Sequence, residues 1–265
     1  MIKNPFTRKD IYLSDTASKE LDAVINRIRL RSVVNEEYGF GKNLPYGRGV
    51  SVVLYGPPGT GKTMLASVIA NELNLSLYRI DISQLSSKYI GETEKNIAEL
   101  FKAASNSNGI LFFDEADALF ARRTEVSGSN DRYANAETAY LLQQIEGYDG
   151  LSIMATNAMQ NFDSAFKRRM TFIISIDKPN EIEREKLWKN IFPENTPLDP
   201  RIDFDTLAAK AELTGSAIKA AALDAAYRAA ARGDKVIMED LIEAVDVQCR
   251  RNGMTGIGQS IRLGK

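Results

Sequence analysis

The chain has 265 residues, 44% of them apolar and 26% charged, a balance that supports a sizeable buried core and excludes general disorder. With 34 Lys and Arg against 35 Asp and Glu, the net charge of −1 gives no bulk signature of nucleic-acid or anionic-membrane binding. Histidine is absent, which removes His-based triads, His-ligated zinc and imidazole bases, and the single cysteine, Cys249, permits no internal disulfide and fits a reducing compartment.

The first residues, M-I-K-N-P-F-T-R-K-D, lack the apolar core of a signal peptide, and no apolar run is long enough to span a bilayer, so a cytoplasmic protein without membrane contact is expected. Residues 16–34 place apolar groups at helical spacing behind the capping residues Ser14 and Asp15. The stretch E-E-Y-G-F-G-K-N-L-P-Y-G-R-G then breaks that pattern and reads as a connection. Short apolar or β-branched runs follow at 51–55, 77–81, 110–114, 151–156 and 171–176, separated by helical periodicity at 62–73, 92–105 and 133–146. Strands alternating with helices predict parallel crossovers and an α/β sandwich with helices on both faces. Beyond residue 177 the strand signal stops and alanine-rich helical segments take over. The expected division is an α/β domain over 1–177 with a short N-terminal helical lead, a helical domain over 178–252, and a glycine-bearing, mobile tail over 253–265.

The strongest local signal is G-P-P-G-T-G-K-T, residues 56–63, directly after one predicted strand and directly before a helix. In the nucleotide-binding loop of Gly56, Pro57, Pro58, Gly59, Thr60 and Gly61, glycines let backbone amides turn toward phosphate oxygens. The helix start at Lys62, Thr63 and Met64 adds its positive end, Lys62 pairs with the β and γ phosphates, and Thr63 holds magnesium. A second signal is I-L-F-F-D-E-A-D, residues 110–117: four apolar residues of a buried strand, then carboxylates at its carboxyl end, where open α/β sheets bind ligands. Asp114 suits magnesium and Glu115 suits polarisation of the water that attacks a γ-phosphate. The letters D-E-A-D also occur in RNA helicases, but those enzymes need a further histidine-bearing motif, which this chain lacks.

These motifs, in this order, resemble the AAA+ ATPases, specifically the AAA clade of protein remodellers. The resemblance implies a P-loop NTPase fold with a five-stranded parallel sheet sandwiched by helices, followed by a small all-α lid. It also implies ATP and Mg2+ as cofactors and a homohexamer acting on a protein client. It assigns Asn157, in M-A-T-N-A, to the sensor 1 position that places the attacking water. It assigns Arg168 and Arg169 to the arginine fingers that reach a neighbouring subunit's nucleotide. Many members separate these two arginines by Pro-Gly; here they are adjacent, and Arg169 is preferred. Lys219, in L-T-G-S-A-I-K, falls at the sensor 2 position, and two readings stay open: nucleotide contact or ordinary helix surface.

Tyr89, Ile90 and Gly91, in S-S-K-Y-I-G-E-T-E-K-N, match the aromatic-hydrophobic-glycine loop that lines the channel of hexameric AAA unfoldases. An aromatic face without sequence-specific donors suits a varied polypeptide, and glycine gives the loop freedom to move. The alternative is a Tyr-Ile pair tucked under the following helix as a hydrophobic staple. The polar segment 121–135 is either a second channel loop or a plain surface loop. Through R-T-E-V and D-R-Y-A-N that segment is also similar to ATPases encoded beside contractile phage-tail-like injection systems. A different class, a AAA+ loader or switch on a nucleic-acid machine, is disfavoured by the near-neutral charge and the aromatic loop.

Overall fold

The computed structural model describes residues 6–42, 49–81, 92–107, 109–117, 139–162, 164–258 and 261. Tyr89, Ile90, Gly91 and the segment 121–135 lie outside the described residues.

The chain divides into two compact units, one of Met1–Gly56 with Lys62–Ile176 and one of Pro57–Gly61 with Asp177–Lys265. The first is built on a parallel sheet of strands β1 (Val50–Tyr55), β2 (Leu77–Asp81), β3 (Ile110–Asp114), β4 (Leu151–Thr156) and β5 (Phe172–Ser175), in the order β2-β3-β4-β1-β5. Strands buried on both faces read as near-continuous apolar runs, and β1, β3 and β4 are buried almost throughout. Alternate residues feed two cores. Val52, Leu54, Ile110, Phe112, Ile153 and Ile174 join the core that includes Leu21 and Val24 of α1 (Asp15–Arg29) and Leu65 and Ile69 of α2 (Lys62–Leu73). Val53, Leu111, Phe113 and Met154 join the opposite core, with Ile97 and Phe101 of α3 (Glu92–Ser107), Leu141 and Ile145 of α4 (described over 139–147), and Phe166 of α5 (Ser164–Arg169).

The predicted helix over 16–34 is shorter in the structure. Ser14 caps α1 by accepting from the Ala17 N–H, but the α-helix stops at Arg29, and Val33–Glu37 forms a π-turn closed by the Tyr38 N–H on the Val33 carbonyl at 3.0 Å. A π-turn inserts a residue into the helical repeat without ending the apolar spacing, so periodicity alone runs through it.

In the second unit, α6 (Glu181–Asn190), α7 (Phe204–Lys210), α8 (Gly215–Arg232) and α9 (Met238–Arg251) pack around Trp188, Leu207, Ile218 and Leu241. Alanines 217, 221, 225 and 229 line one buried face of α8, and their small size allows α9 to come close. Buried Arg184 is satisfied by the Ala208 and Pro179 carbonyls, both at 2.8 Å. Gly233, with φ of 68°, supplies the left-handed residue that ends α8.

The described part of the tail, residues 253–258 and 261, follows α9. Asp246 accepts from the backbone N–H groups of Ile257 at 2.5 Å and Gly258 at 3.0 Å, and Ile257 is buried in the helical core. The glycines of this stretch allow close approach: a Cβ on Gly256 or Gly258 would meet Asp246 oxygens at 2.7 and 2.6 Å.

Candidate nucleotide site

The carboxyl edge of the sheet collects the functional residues of the first unit. β1 ends at Tyr55 beside Thr156 of β4, and the Gly56 N–H donates to the Thr156 carbonyl at 3.3 Å. β4 in turn borders β3, which ends in Asp114. The ends of three adjacent strands thus present Gly56, Asn157 and Asp114 in a row.

Gly56, Gly59 and Gly61 have φ values of 152°, 77° and 108°, so residues with side chains would be strained there. Thr60 Oγ1 donates to the Pro57 carbonyl at 3.0 Å and closes the turn. Lys62, first residue of α2, is buried, and its Nζ donates to the Gly56 carbonyl at 2.8 Å. Burial pushes the Lys62 ammonium down from its usual range, and the charges of Asp114 and Asp117 work the other way. A buried ammonium, a run of left-handed glycines and a helix start form a cradle that fits a polyphosphate. Within the second unit, the loop carbonyl of Gly59 accepts from the Ser216 N–H of α8 at 3.2 Å. A Cβ on Gly59 would stand 2.1 Å from Ser216 Oγ. Pro58 is exposed, and Met64 is partly buried at the start of α2.

Thr63 Oγ1 lies 3.4 Å from Asp114 Oδ2, and Asp114 Oδ1 accepts from the Glu115 N–H at 3.1 Å. A hydroxyl and a carboxylate are hard oxygen donors of the kind magnesium takes alongside phosphate oxygens, so the pair fits that ion. Glu115 has φ of 53°, rare for a residue with a side chain, and its carboxylate is exposed and makes no hydrogen bond or ion pair with the described residues. Asn157 is exposed immediately beyond β4.

Three placements had no counterpart in the sequence reading. Arg79 of β2 forms a 2.9 Å ion pair with Asp114 Oδ2. Asp117 Oδ1 accepts from Thr156 Oγ1 at 3.2 Å, and that hydroxyl accepts from the Ala158 N–H at 3.0 Å, so the fourth letter of D-E-A-D braces the strand end that carries Asn157. The third is the Ser216 contact to the phosphate loop. A charged residue inside the apolar run L-Y-R-I-D was the available signal for Arg79; the other two contacts leave none.

The two arginines before β5 are not equivalent. Arg169 pairs with Glu146 of its own chain at 3.1 Å, whereas Arg168 is exposed and has no partner among the described residues. Lys219 is exposed on α8, one turn beyond Ser216.

A parallel sheet whose first strand runs through G-x-x-x-x-G-K-T into a helix, with Asp-Glu ending a strand of the same edge, defines a P-loop nucleotide-binding domain. Residues 52–178 match the ATPase family associated with various cellular activities (AAA), and this part of the chain is a domain of that family. The chain is 35% identical over 213 residues to the proteasome-activating nucleotidase of Saccharolobus solfataricus, covering 77% of this chain and 54% of that one. It is 35% identical over 204 residues to the same-named protein of Aeropyrum pernix (74% and 50%), and 36% identical over 203 residues to proteasome-activating nucleotidase 1 of Haloferax volcanii (73% and 50%). The chain thus spans about half the length of these curated relatives. None of the three bears on contractile injection systems. No helix among the described residues is long and apolar enough to cross a membrane.

Proposed function

We propose that the protein is a magnesium-dependent ATPase, cytoplasmic and homohexameric, that remodels, unfolds or disassembles a protein client gripped by the loop Tyr89-Ile90-Gly91. The observation that carries the hydrolytic reading is Glu115: an exposed carboxylate one residue beyond Asp114, without a partner among the described residues and held in a left-handed backbone conformation.

The roles follow from the chemistry of each group. Lys62 gives its ammonium to the β and γ phosphates in place of the Gly56 carbonyl, and the amides of the loop surround the same oxygens. Thr63 and Asp114 hold magnesium, which when bound neutralises charge on the phosphates. Glu115 takes the proton of the attacking water, while Asn157, whose amide both donates and accepts, orients that water. Arg168, exposed and without a partner among the described residues, serves a neighbouring subunit's nucleotide; Arg169 serves it only by leaving Glu146. Lys219 is exposed on the lid helix and is offered as a phosphate contact.

The test is ATP turnover with and without an unstructured protein such as casein. Stimulation by casein, lost in Tyr89→Ala with basal turnover retained, supports a client-gripping loop. Salt-sensitive binding to DNA with no response to casein would favour the nucleic-acid machine instead.

A further inference from the structure

Arg79 owes its position to sheet register. It stands opposite Phe112 in the parallel β2–β3 pair, and both belong to the face that α2 covers, on which Leu77 and Phe112 are buried. Side chains on one face recur every second residue, so Asp114 shares that face one step closer to the carboxyl edge. A diagonal neighbour of this kind is within reach of a long side chain, and the Arg79 guanidinium spans the gap to Asp114 Oδ2 at 2.9 Å.

The oxygen it meets matters. Asp114 Oδ1 is held by the Glu115 N–H, which leaves Oδ2 as the oxygen turned toward Thr63 Oγ1, and Arg79 meets that same Oδ2. The Asp114 side chain is 18% exposed and that of Arg79 is 56% exposed. A half-exposed guanidinium can swing into solvent at little cost, whereas Asp114 is held in place by the Glu115 N–H.

We propose that Arg79 is a placeholder cation for the metal site. It holds Asp114 Oδ2 in position beside Thr63 whenever magnesium is away, and it yields Oδ2 when magnesium arrives with nucleotide. Arg79 is a positioning residue that touches neither phosphate nor water. Its effect is to weaken the coupling between metal and nucleotide, so that ADP with its magnesium is released more readily than an unopposed Asp114 would allow. The inference rests on the magnesium role of Asp114 proposed above.

The experiment measures the Kd of a fluorescent ADP analogue in Mg2+ and in EDTA for wild type, Arg79→Gln, Arg79→Lys and Asp114→Asn. The ratio of the EDTA constant to the Mg2+ constant reports metal–nucleotide coupling. In Arg79→Gln the ratio rises about fivefold, the scale set by a partly exposed ion pair, with affinity in EDTA unchanged. Arg79→Lys returns the ratio toward wild type. In parallel, denaturant midpoints of the metal-free proteins for Arg79→Gln, Asp114→Asn and the double variant form a cycle with non-zero coupling. A ratio unchanged or lowered in Arg79→Gln, or no coupling in the cycle, overturns the proposal. If Asp114→Asn itself leaves the ratio at its wild-type value, the assignment of Asp114 to magnesium fails and takes this inference with it. If Asp114→Asn abolishes the coupling while Arg79→Gln changes nothing, only the placeholder fails.

Discussion

The Lys62 ammonium donates at 2.8 Å to the carbonyl of Gly56, the residue that opens its own loop. The bond keeps a buried charge satisfied. Lys62→Met removes that charge and keeps much of the stem. Nucleotide affinity is expected to fall by about 100-fold, the scale of losing one partner of a desolvated charge pair, while the thermal midpoint of the free protein changes little. Fluorescent-nucleotide titration and a melt check both.

Gly59→Ala addresses the same loop from its other side. The added Cβ would meet Ser216 Oγ at 2.1 Å and Thr214 Oγ1 at 2.9 Å, in a backbone conformation with φ of 77° that alanine adopts at a cost of about 1–2 kcal/mol. Weakened nucleotide binding is predicted. Ser216→Gly in the Gly59→Ala background removes the nearest atom but not the backbone strain, so it restores binding in part, as the same titration would read.

Glu115→Gln keeps the size of the side chain and removes the base. Turnover is expected to fall by about 100- to 10,000-fold with ATP affinity retained, so the variant holds ATP and favours the assembled state. Single-turnover hydrolysis alongside equilibrium binding separates the two effects. Hydrolysis at the wild-type rate would refute the base assignment.

Acid should weaken the helical unit. Arg232 holds the Asp240 carboxyl below the usual carboxylate range, the Thr206 hydroxyl and N–H do the same for the helix-capping Asp203, and Arg201 does so for Asp199. A carboxyl whose folded pKa is depressed stabilises the fold above its unfolded value of about 3.9 and loses that contribution as pH falls through the folded value. These three groups therefore leave stability flat between pH 5 and 8, as about neutral conditions require, and lower it below about pH 4. Melts followed by circular dichroism at pH 7 and pH 3 test this, and Arg232→Gln should remove part of the difference.

Much of the architecture was readable because parallel strands buried on both faces are written as short apolar runs: S-V-V-L-Y, I-L-F-F and L-S-I-M-A-T could be little else between helical segments. The phosphate loop was readable because its chemistry needs contiguous residues. What escaped were relations that exist only once the register is set. Arg79 meets Asp114 because β2 and β3 align Arg79 with Phe112; Ser216 meets Gly59 across most of the chain. The pairing of Arg169 with Glu146 of α4 likewise had no signal in the sequence, where Arg169 was preferred over Arg168. The close approach of Gly256 and Gly258 to Asp246 is also a packing relation that glycine content alone does not signal.

Whether each site is completed by a neighbouring subunit is tested most directly by the rate of ATP hydrolysis per subunit, followed as protein concentration is raised, for wild type and Arg168→Ala. If an arginine is borrowed from the next protomer, the wild-type rate climbs with concentration to a plateau, and Arg168→Ala stays about 1,000-fold lower at every concentration while still binding ATP. A wild-type rate independent of concentration, with Arg168→Ala as active as wild type, would contradict a shared site and leave a solitary nucleotide-hydrolysing domain.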